Sequence, residues 1–325
     1  MNWNEITSVL VLQPENPDGD SVASALALEE ILSDQKKQVT IYSYVNIPGY
    51  LRYIQGQDRI TDEFPKDFDV TIIVDTVTGS LLENTLSGER MTKIQKKPVF
   101  VLDCHPVEND LPIEHADYFK ASGNPIATGE LVYQLAKEQN WDINPMAATH
   151  IIEATMADTL GLTTEAVTAE TVQVVADMLG KGAKMSDIDA RRREVMKKSS
   201  DLIHYKGELL QRIEFLLDGK LAIIHIPWEE IEKYSPHYNP TMLALEELRN
   251  TEGVEVSVGI KTYPDGKITG KLRASKPIAG KIAAHFGGGG HDYAAGFKVT
   301  DWNYDELKLE FIKATNDLLN KKHTT

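Results

Sequence analysis

Three short apolar runs in the first third of the chain each give way to an acid, and this recurrence constrains the fold more than any single residue does. Val9-Leu10-Val11-Leu12 leads into Asn16-Pro17-Asp18-Gly19-Asp20, Val70-Thr71-Ile72-Ile73-Val74 ends in Asp75, and Val99-Phe100-Val101-Leu102 ends in Asp103-Cys104-His105. Continuous apolar runs of this length read as strands buried on both faces. The first acidic turn precedes the helix-like Ser24-Ala25-Leu26-Ala27-Leu28-Glu29-Glu30-Ile31-Leu32, so the local pattern is strand, tight turn, helix. In open parallel sheets ligands bind outside the carboxyl ends of the strands. Three strands therefore deliver acids or imidazole to what would be one edge. Hard divalent cations prefer carboxylate oxygen, and two acids two residues apart on a turn can each face a different cation. Taken alone, Asp18 and Asp20 read more readily as a Pro-Asp-Gly turn with Asp20 capping a helix, because Asp-Gly turns are common.

Apolar runs and helical patterns alternate through roughly the first 180 residues, as in a parallel α/β sheet. Residues 9–12, 39–42, 70–74 and 99–102 read as strands, and residues 126–138, 145–157 and 168–179 as helices. Asp158 is a further acid, at a helix end before a glycine-containing turn; as a lone residue it reads as a solvated acid or a cap. From 181 to 217 the sequence reads as one charged linker helix holding Arg191-Arg192-Arg193 and Lys197-Lys198. That run is a solvated face, or the largest positive cluster on an acidic protein and an attractor of substrate. Beyond it, strands over 221–226, 254–260 and 267–272 and helices over 241–249, 277–285 and 304–319 describe a second, smaller α/β domain over 218–325. Pro264-Asp265-Gly266 joins two of its strands into a hairpin.

The second domain carries Gly287-Gly288-Gly289-Gly290-His291-Asp292-Tyr293-Ala294-Ala295-Gly296-Phe297. Four consecutive glycines cost backbone entropy on folding. Without side chains their N–H groups can approach an anion closely, and a helix beginning near His291 would add its positive end. His291 could then hydrogen-bond a phosphate or base. The bland alternative is a flexible turn followed by a small-residue helix packed tightly on its neighbour.

Composition limits the function classes. At 325 residues there is room for two domains, and 42% hydrophobic with 26% charged residues is ordinary for a globular protein. A net charge of −15 argues against coating long nucleic acid, where affinity comes from cations neutralising phosphates. A short phosphorylated substrate is compatible if metal ions supply the positive charge. Cys104 is the lone cysteine, which rules out an internal disulfide and agrees with a reducing compartment. The N-terminus has no basic region, and no apolar run approaches the ~18 residues of a membrane span. The expectation is a cytoplasmic protein with no membrane partner; a homodimer is a compatible assembly.

With these landmarks in order, the chain resembles the DHH phosphoesterases with their glycine-rich DHH-associated C-terminal domain, over nearly its whole length. It is most similar to the branch holding bacterial nano-RNases and phosphatases of adenosine 3′,5′-bisphosphate, with motifs shared by the RecJ-type exonucleases. Family II pyrophosphatases have a similar first domain but a different second one, and the glycine string argues against that branch. The resemblance implies a DHH domain over 1–180, the linker over 181–217, and an active-site cleft between the two domains. There two divalent ions, most often manganese with magnesium or zinc as alternatives, would activate a water that attacks a phosphorus. Asp18 would hold the first ion, Asp20 and Asp158 the second, and Asp75 would bridge both as a catalytic group. His105 matches a histidine that contacts substrate phosphate. Arg273, Gly288, Gly289, Gly290 and His291 match positions that grip the phosphate and terminal nucleotide of short RNA or DNA oligonucleotides or small nucleotides.

Two departures stand out. The family's first motif places a metal-binding histidine four residues before the first aspartate, where this chain has Pro14. Its name-giving triplet here reads Asp103-Cys104-His105, with Cys104 where the second ion's histidine belongs. A thiolate is a softer ligand and shifts preference towards zinc-like ions. Three functions follow: a working metal-dependent phosphodiesterase or phosphatase, a catalytically weakened nucleotide-binding or regulatory protein, or an interaction module with no ligand. The surviving acids and the glycine string rank them in that order.

Overall fold

Val9 and Val11 pack into the cluster that holds Val22 and Leu26, whereas Leu10 and Leu12 pack with Phe68 and Ile73 on the other side. A strand buried on both faces cannot alternate polar with apolar, which is why Ser8–Leu12 (β1) reads as an unbroken apolar run. The computed structural model describes residues 1–105 and 110–320, divided into the units Met1–Lys197 and Lys198–Thr325.

In the first unit β1 is followed by α1 (Gly19–Asp34), β2 (Gln38–Tyr42), β3 (Val70–Val74), α2 (Gly88–Ile94), β4 (Val99–Leu102) and β5 (Ala116–Tyr118). Four helices complete it: α3 (Thr128–Glu138), α4 (Pro145–Asp158), α5 (Ala169–Gly180) and α6 (Met185–Val195). The five strands pair in parallel in the order β2-β1-β3-β4-β5. Because β2 and β3 flank β1 on opposite sides, the chain changes direction across the sheet there, and the crevice at such a switch point is where these folds bind ligands. The turn after β1 carries Asp18, α1 opens with Asp20 in its first turn, and Asp75 follows β3.

The segment 181–217, expected as one helix, holds two: α6 and α7 (Ser200–Gln211), followed by the short strand β6 (Glu214–Leu216). Ser199 starts α7 anew, its hydroxyl accepting from Leu202 N at 3.3 Å, so the local capping bond ends the continuity that charge patterning suggested. The basic run is partly consumed. Arg191 donates to Glu153 Oε1 at 2.8 Å and to Tyr53 O at 3.1 Å, and Arg193 pairs with Asp189 at 2.7 Å.

The second unit continues with β7 (Leu221–Ile226), α8 (Trp228–Tyr234), α9 (Pro240–Arg249), β8 (Val256–Thr262), β9 (Ile268–Ala274), α10 (Ala279–His285), β10 (Gly289–Gly290), β11 (Ala294–Val299) and α11 (Tyr304–Asn320). Its sheet runs β10-β11-β9-β8-β7-β6, parallel only between β7 and β8. The hairpin expected around Pro264-Asp265-Gly266 is β8–β9. The helix expected near His291 is instead the strand β11. Ala295 and Phe297 alternate inward at 8% and 5% exposure, and Phe297 lies over Gly270, where a Cβ would meet its ring at 2.3 Å. A period of two, not 3.6, buries these small residues.

Candidate metal centre

The site begins with a close helix contact. A Cβ built on Gly19 would lie 2.6 Å from Ala157 Cβ, and one on Gly129 would lie 2.5 Å from Ala154 Cβ. Glycines thus let the starts of α1 and α3 press against α4, which ends at Asp158. Asp18 is the N-cap of α1, its Oδ1 accepting from Asp20 N and Ser21 N at 3.1 Å each. The cap is therefore Asp18, not Asp20. Asp20, fully buried in the first turn, accepts from Ser24 Oγ at 2.9 Å and Gly129 N at 3.1 Å on Oδ1, and from Thr128 N at 2.7 Å on Oδ2. The start of α3 thus holds this carboxylate from two backbone donors.

Asp75 follows β3 with a left-handed backbone (φ 61°), a conformation that costs energy outside glycine and gathers at functional sites. Its N–H still donates to Leu102 O at 2.8 Å, and its Oδ1 accepts from Thr128 Oγ1 at 3.1 Å. Thr128 therefore binds Asp20 and Asp75 at once. Asp103, just past β4, accepts from His105 Nδ1 at 2.7 Å on Oδ1, while its buried Oδ2 has no hydrogen-bond partner among the described residues. His105 Nδ1 also lies 3.8 Å from Asp75 Oδ1.

These residues fall into two groups whose ligand atoms lie within 4.8 Å of one another: Asp20, Cys104 and Asp158, and Asp75, Asp103 and His105. Asp18 is in neither. Burial and mutual repulsion set their protonation. Desolvation lifts Asp20 to about 6 against the opposing pull of its hydrogen bonds, and lifts Asp158 to about 7, with Asp20 adding to the effect. Asp75 is likewise pushed well up, by burial first and then by Asp20. The hydrogen bond to Asp103 raises His105. Burial drives the Cys104 thiol far above its usual range, with the acids around it adding to the effect, and the protonated Sγ donates to Ile126 O at 3.2 Å. Both donor sets suit a divalent cation. The orphaned Asp103 Oδ2 and the self-repelling carboxylates mark a place that is short of positive charge.

Pro14 supplies no ligand atom. Glu15 turns to the 84–85 loop, accepting from Asn84 Nδ2 and Thr85 N at 2.7 Å each, while the buried Gln13 amide has no hydrogen-bond partner among the described residues. Thr128 and Asp103 are the site residues that sequence reasoning did not assign. Asp103 stood in the quoted triplet, and Thr128-Gly129 at a helix start was the available signal for the backbone donors.

In the second unit, Arg273 lies on β9 opposite Ser257 and Ala294, its Nη1 donating to Leu272 O at 3.0 Å. Two of the glycines serve packing. A Cβ on Gly288 would meet Gly296 O at 2.2 Å, and one on Gly290, whose φ is +140°, would meet Ala295 Cα at 2.6 Å. Gly289 has open space there, and His291 is exposed, its N–H donating to Ala294 O at 2.9 Å.

A parallel α/β unit with a carboxylate-rich centre at its switch point, joined to a separate mixed-sheet unit, makes this a two-domain α/β protein with a candidate metal centre. Residues 8–163 match the model of the DHH family, N-terminal domain, and residues 235–321 match that of the DHHA1 domain. The chain belongs to the DHH family of phosphoesterases. It is 27% identical over 318 residues to the A-adding tRNA nucleotidyltransferase of Aquifex aeolicus, an alignment spanning 94% of this chain but only 35% of that longer protein. It is 21% identical over 321 residues to the bifunctional oligoribonuclease and PAP phosphatase NrnA of Bacillus subtilis, covering 97% of this chain and 96% of that protein. The NrnA of Thermus thermophilus is 24% identical over 310 residues, covering 94% and 88%. The crystal structure of an exopolyphosphatase-related protein from Bacteroides fragilis shares the fold, with a TM-score of 0.78 at 21% identity over 98% of this chain and 95% of that one. Among the described residues no helix is long and apolar enough to cross a membrane.

Proposed function

We propose that this chain is a metal-dependent phosphodiesterase or phosphatase that acts in the cytoplasm on short oligonucleotides or small nucleotides, of the nano-RNase or adenosine 3′,5′-bisphosphate phosphatase type. The observation that carries this reading is the gathering of Asp20, Cys104 and Asp158 beside Asp75, Asp103 and His105 at the carboxyl edge of the parallel sheet. The names of the two NrnA relatives support the substrate class. Asp18, Asp20, Asp75 and Asp158, with Cys104 as a poor substitute for imidazole, are the proposed ligands of manganese or a similar ion. Bound there, such ions supply a water of lowered pKa and positive charge for the oxygens of the reacting phosphorus.

The chain's own residues do the rest. Thr128 fixes the directions of the Asp20 and Asp75 carboxylates. Asp103 orients His105 and favours its protonated form, so the imidazolium can donate to a phosphate oxygen. Arg273 offers a planar fork to a phosphate, and Gly289 and His291 present an open backbone and an imidazole to the terminal nucleotide. A panel of two- to five-nucleotide RNAs, adenosine 3′,5′-bisphosphate and cyclic dinucleotides under manganese, magnesium, zinc and cobalt tests the reading. Turnover of at least one class is expected.

Two observations favour a second reading, a nucleotide-binding protein with weakened catalysis. Cys104 is a protonated donor to Ile126 O, and Pro14 leaves the first ion short of a ligand. Tight nucleotide binding without turnover under every metal would select it.

A further inference from the structure

Gln13 follows β1 directly, one place beyond Leu12 and Ile73, the last paired residues of the β1–β3 ladder. The parallel register therefore brings Gln13 level with Val74 and Pro14 level with Asp75, on strands about 4.8 Å apart. Val74 pairs in turn with Leu102, and both belong to the cluster that holds Val9 and Val11. Successive side chains along a strand take opposite faces. Leu12 goes to the cluster of Phe68 and Ile73, so Gln13 turns to the face of Val11, Val74 and Leu102. Cys104 packs on that cluster too. Helices α1 and α3 cover the same face, α1 opening with Asp20 and α3 holding the Asp20 carboxylate through Thr128 N and Gly129 N.

Gln13 is 1% exposed, and neither its Oε1 nor its Nε2 has a hydrogen-bond partner among the described residues; no other side chain there has two buried atoms left in this way. A buried amide with both groups unmet bears its full desolvation cost, which an apolar side chain of similar volume does not. This amide adjoins Pro14, where the chain lacks a ligand atom, and lies level with the residue before Asp75.

We propose that the Gln13 amide oxygen is a further ligand of the divalent ion beside Asp75, standing in for the imidazole that Pro14 cannot supply. The inference rests on the metal-dependent phosphoesterase reading and adds a ligand to it. Side-chain carbonyl oxygen is a hard donor that suits manganese and magnesium. Being neutral, it adds nothing to the mutual repulsion of Asp75, Asp20, Asp18 and Asp158. With Oε1 on the ion, Nε2 is left to donate to the water or phosphate oxygen that completes the ion's shell, so both unmet groups find partners.

The test uses the full chain stripped with EDTA. Manganese is titrated by calorimetry and by the paramagnetic resonance of the free ion, beside thermal unfolding of the metal-free protein. Gln13→Leu removes both polar atoms at similar volume. It should raise the metal-free midpoint by about 2–4 °C and weaken manganese binding at least about tenfold, opposite signs that a purely structural glutamine would not produce. Gln13→Glu keeps the oxygen and adds a proton to shed, so it should bind manganese at least as tightly as the wild type and release more protons per ion at pH 6. Undiminished manganese affinity in Gln13→Leu, or equal proton release by Gln13→Glu and the wild type, overturns the inference; manganese-dependent hydrolysis of diadenylate by the wild type leaves the phosphoesterase reading standing. A wild type that neither binds manganese nor hydrolyses diadenylate overturns both.

Discussion

Gly19 and Ala157 are in contact so close that a Cβ on the glycine would sit 2.6 Å from the alanine's Cβ. The pair presses the start of α1 onto the end of α4, and each partner is next in sequence to a site acid, Asp20 and Asp158. Asp20 and Asp158 share a cluster because no side chain separates their helices. Gly19→Ala should push them apart, costing about 1–3 kcal/mol of stability as overpacking does, and manganese affinity should fall at least tenfold. Calorimetric titration checks it; unchanged manganese affinity in a folded variant would sink the account of the contact.

Thr128 separates positioning from ligation. Thr128→Val removes the hydroxyl donor to Asp75 but keeps the N–H to Asp20, so metal affinity or turnover should fall about 10–100-fold, as when groups that orient ligands are lost. Thr128→Ser should restore most of it. Equal losses in both variants would show that packing, not the hydroxyl, matters.

Protonation of the acids gives a pH dependence whose sign is fixed. Asp20 near 6 and Asp158 near 7 lie above their ordinary 3.8, so the folded metal-free protein binds protons more tightly than the unfolded chain. Stability from these groups is present below about pH 4 and is lost as pH rises through about 7. Carboxylates must shed those protons to take a cation, so manganese binding should release protons and strengthen from pH 5.5 to 8. Calorimetry in two buffers of different ionisation enthalpy measures the release; no difference between buffers at pH 6 would contradict it.

Much of this was legible in the sequence because β1, β3 and β4 are buried on both faces, and unbroken apolar runs ending in acids are readable without a structure. The helix expected near His291 failed because alanine and glycine carry little periodic signal. Only the partner residues, Gly270 beneath Phe297 and Gly296 beside Gly288, show that the backbone there is extended. Thr128 escaped because its role depends on two acids 108 and 53 residues away. The linker broke at Ser199, where a local cap outweighed a continuous charge pattern.

Cys104 bears on the two departures directly. The protonated thiol donates to Ile126 O, so Cys104→His would exchange that bond for a neutral nitrogen that manganese accepts more readily. Manganese affinity and turnover should rise. Pro14→His should add to the gain, more than additively if two ions act together. A parent already faster than every histidine variant would show that this site has its own working coordination.

The most direct measurement is release of mononucleotide from a 5′-phosphorylated dinucleotide by the chelated protein, with and without added manganese, for the wild type and for Asp75→Asn. The account predicts no release after chelation, recovery on adding manganese, and none from a folded Asp75→Asn under either condition. Release that survives chelation, or that Asp75→Asn supports at the wild-type rate, would contradict it.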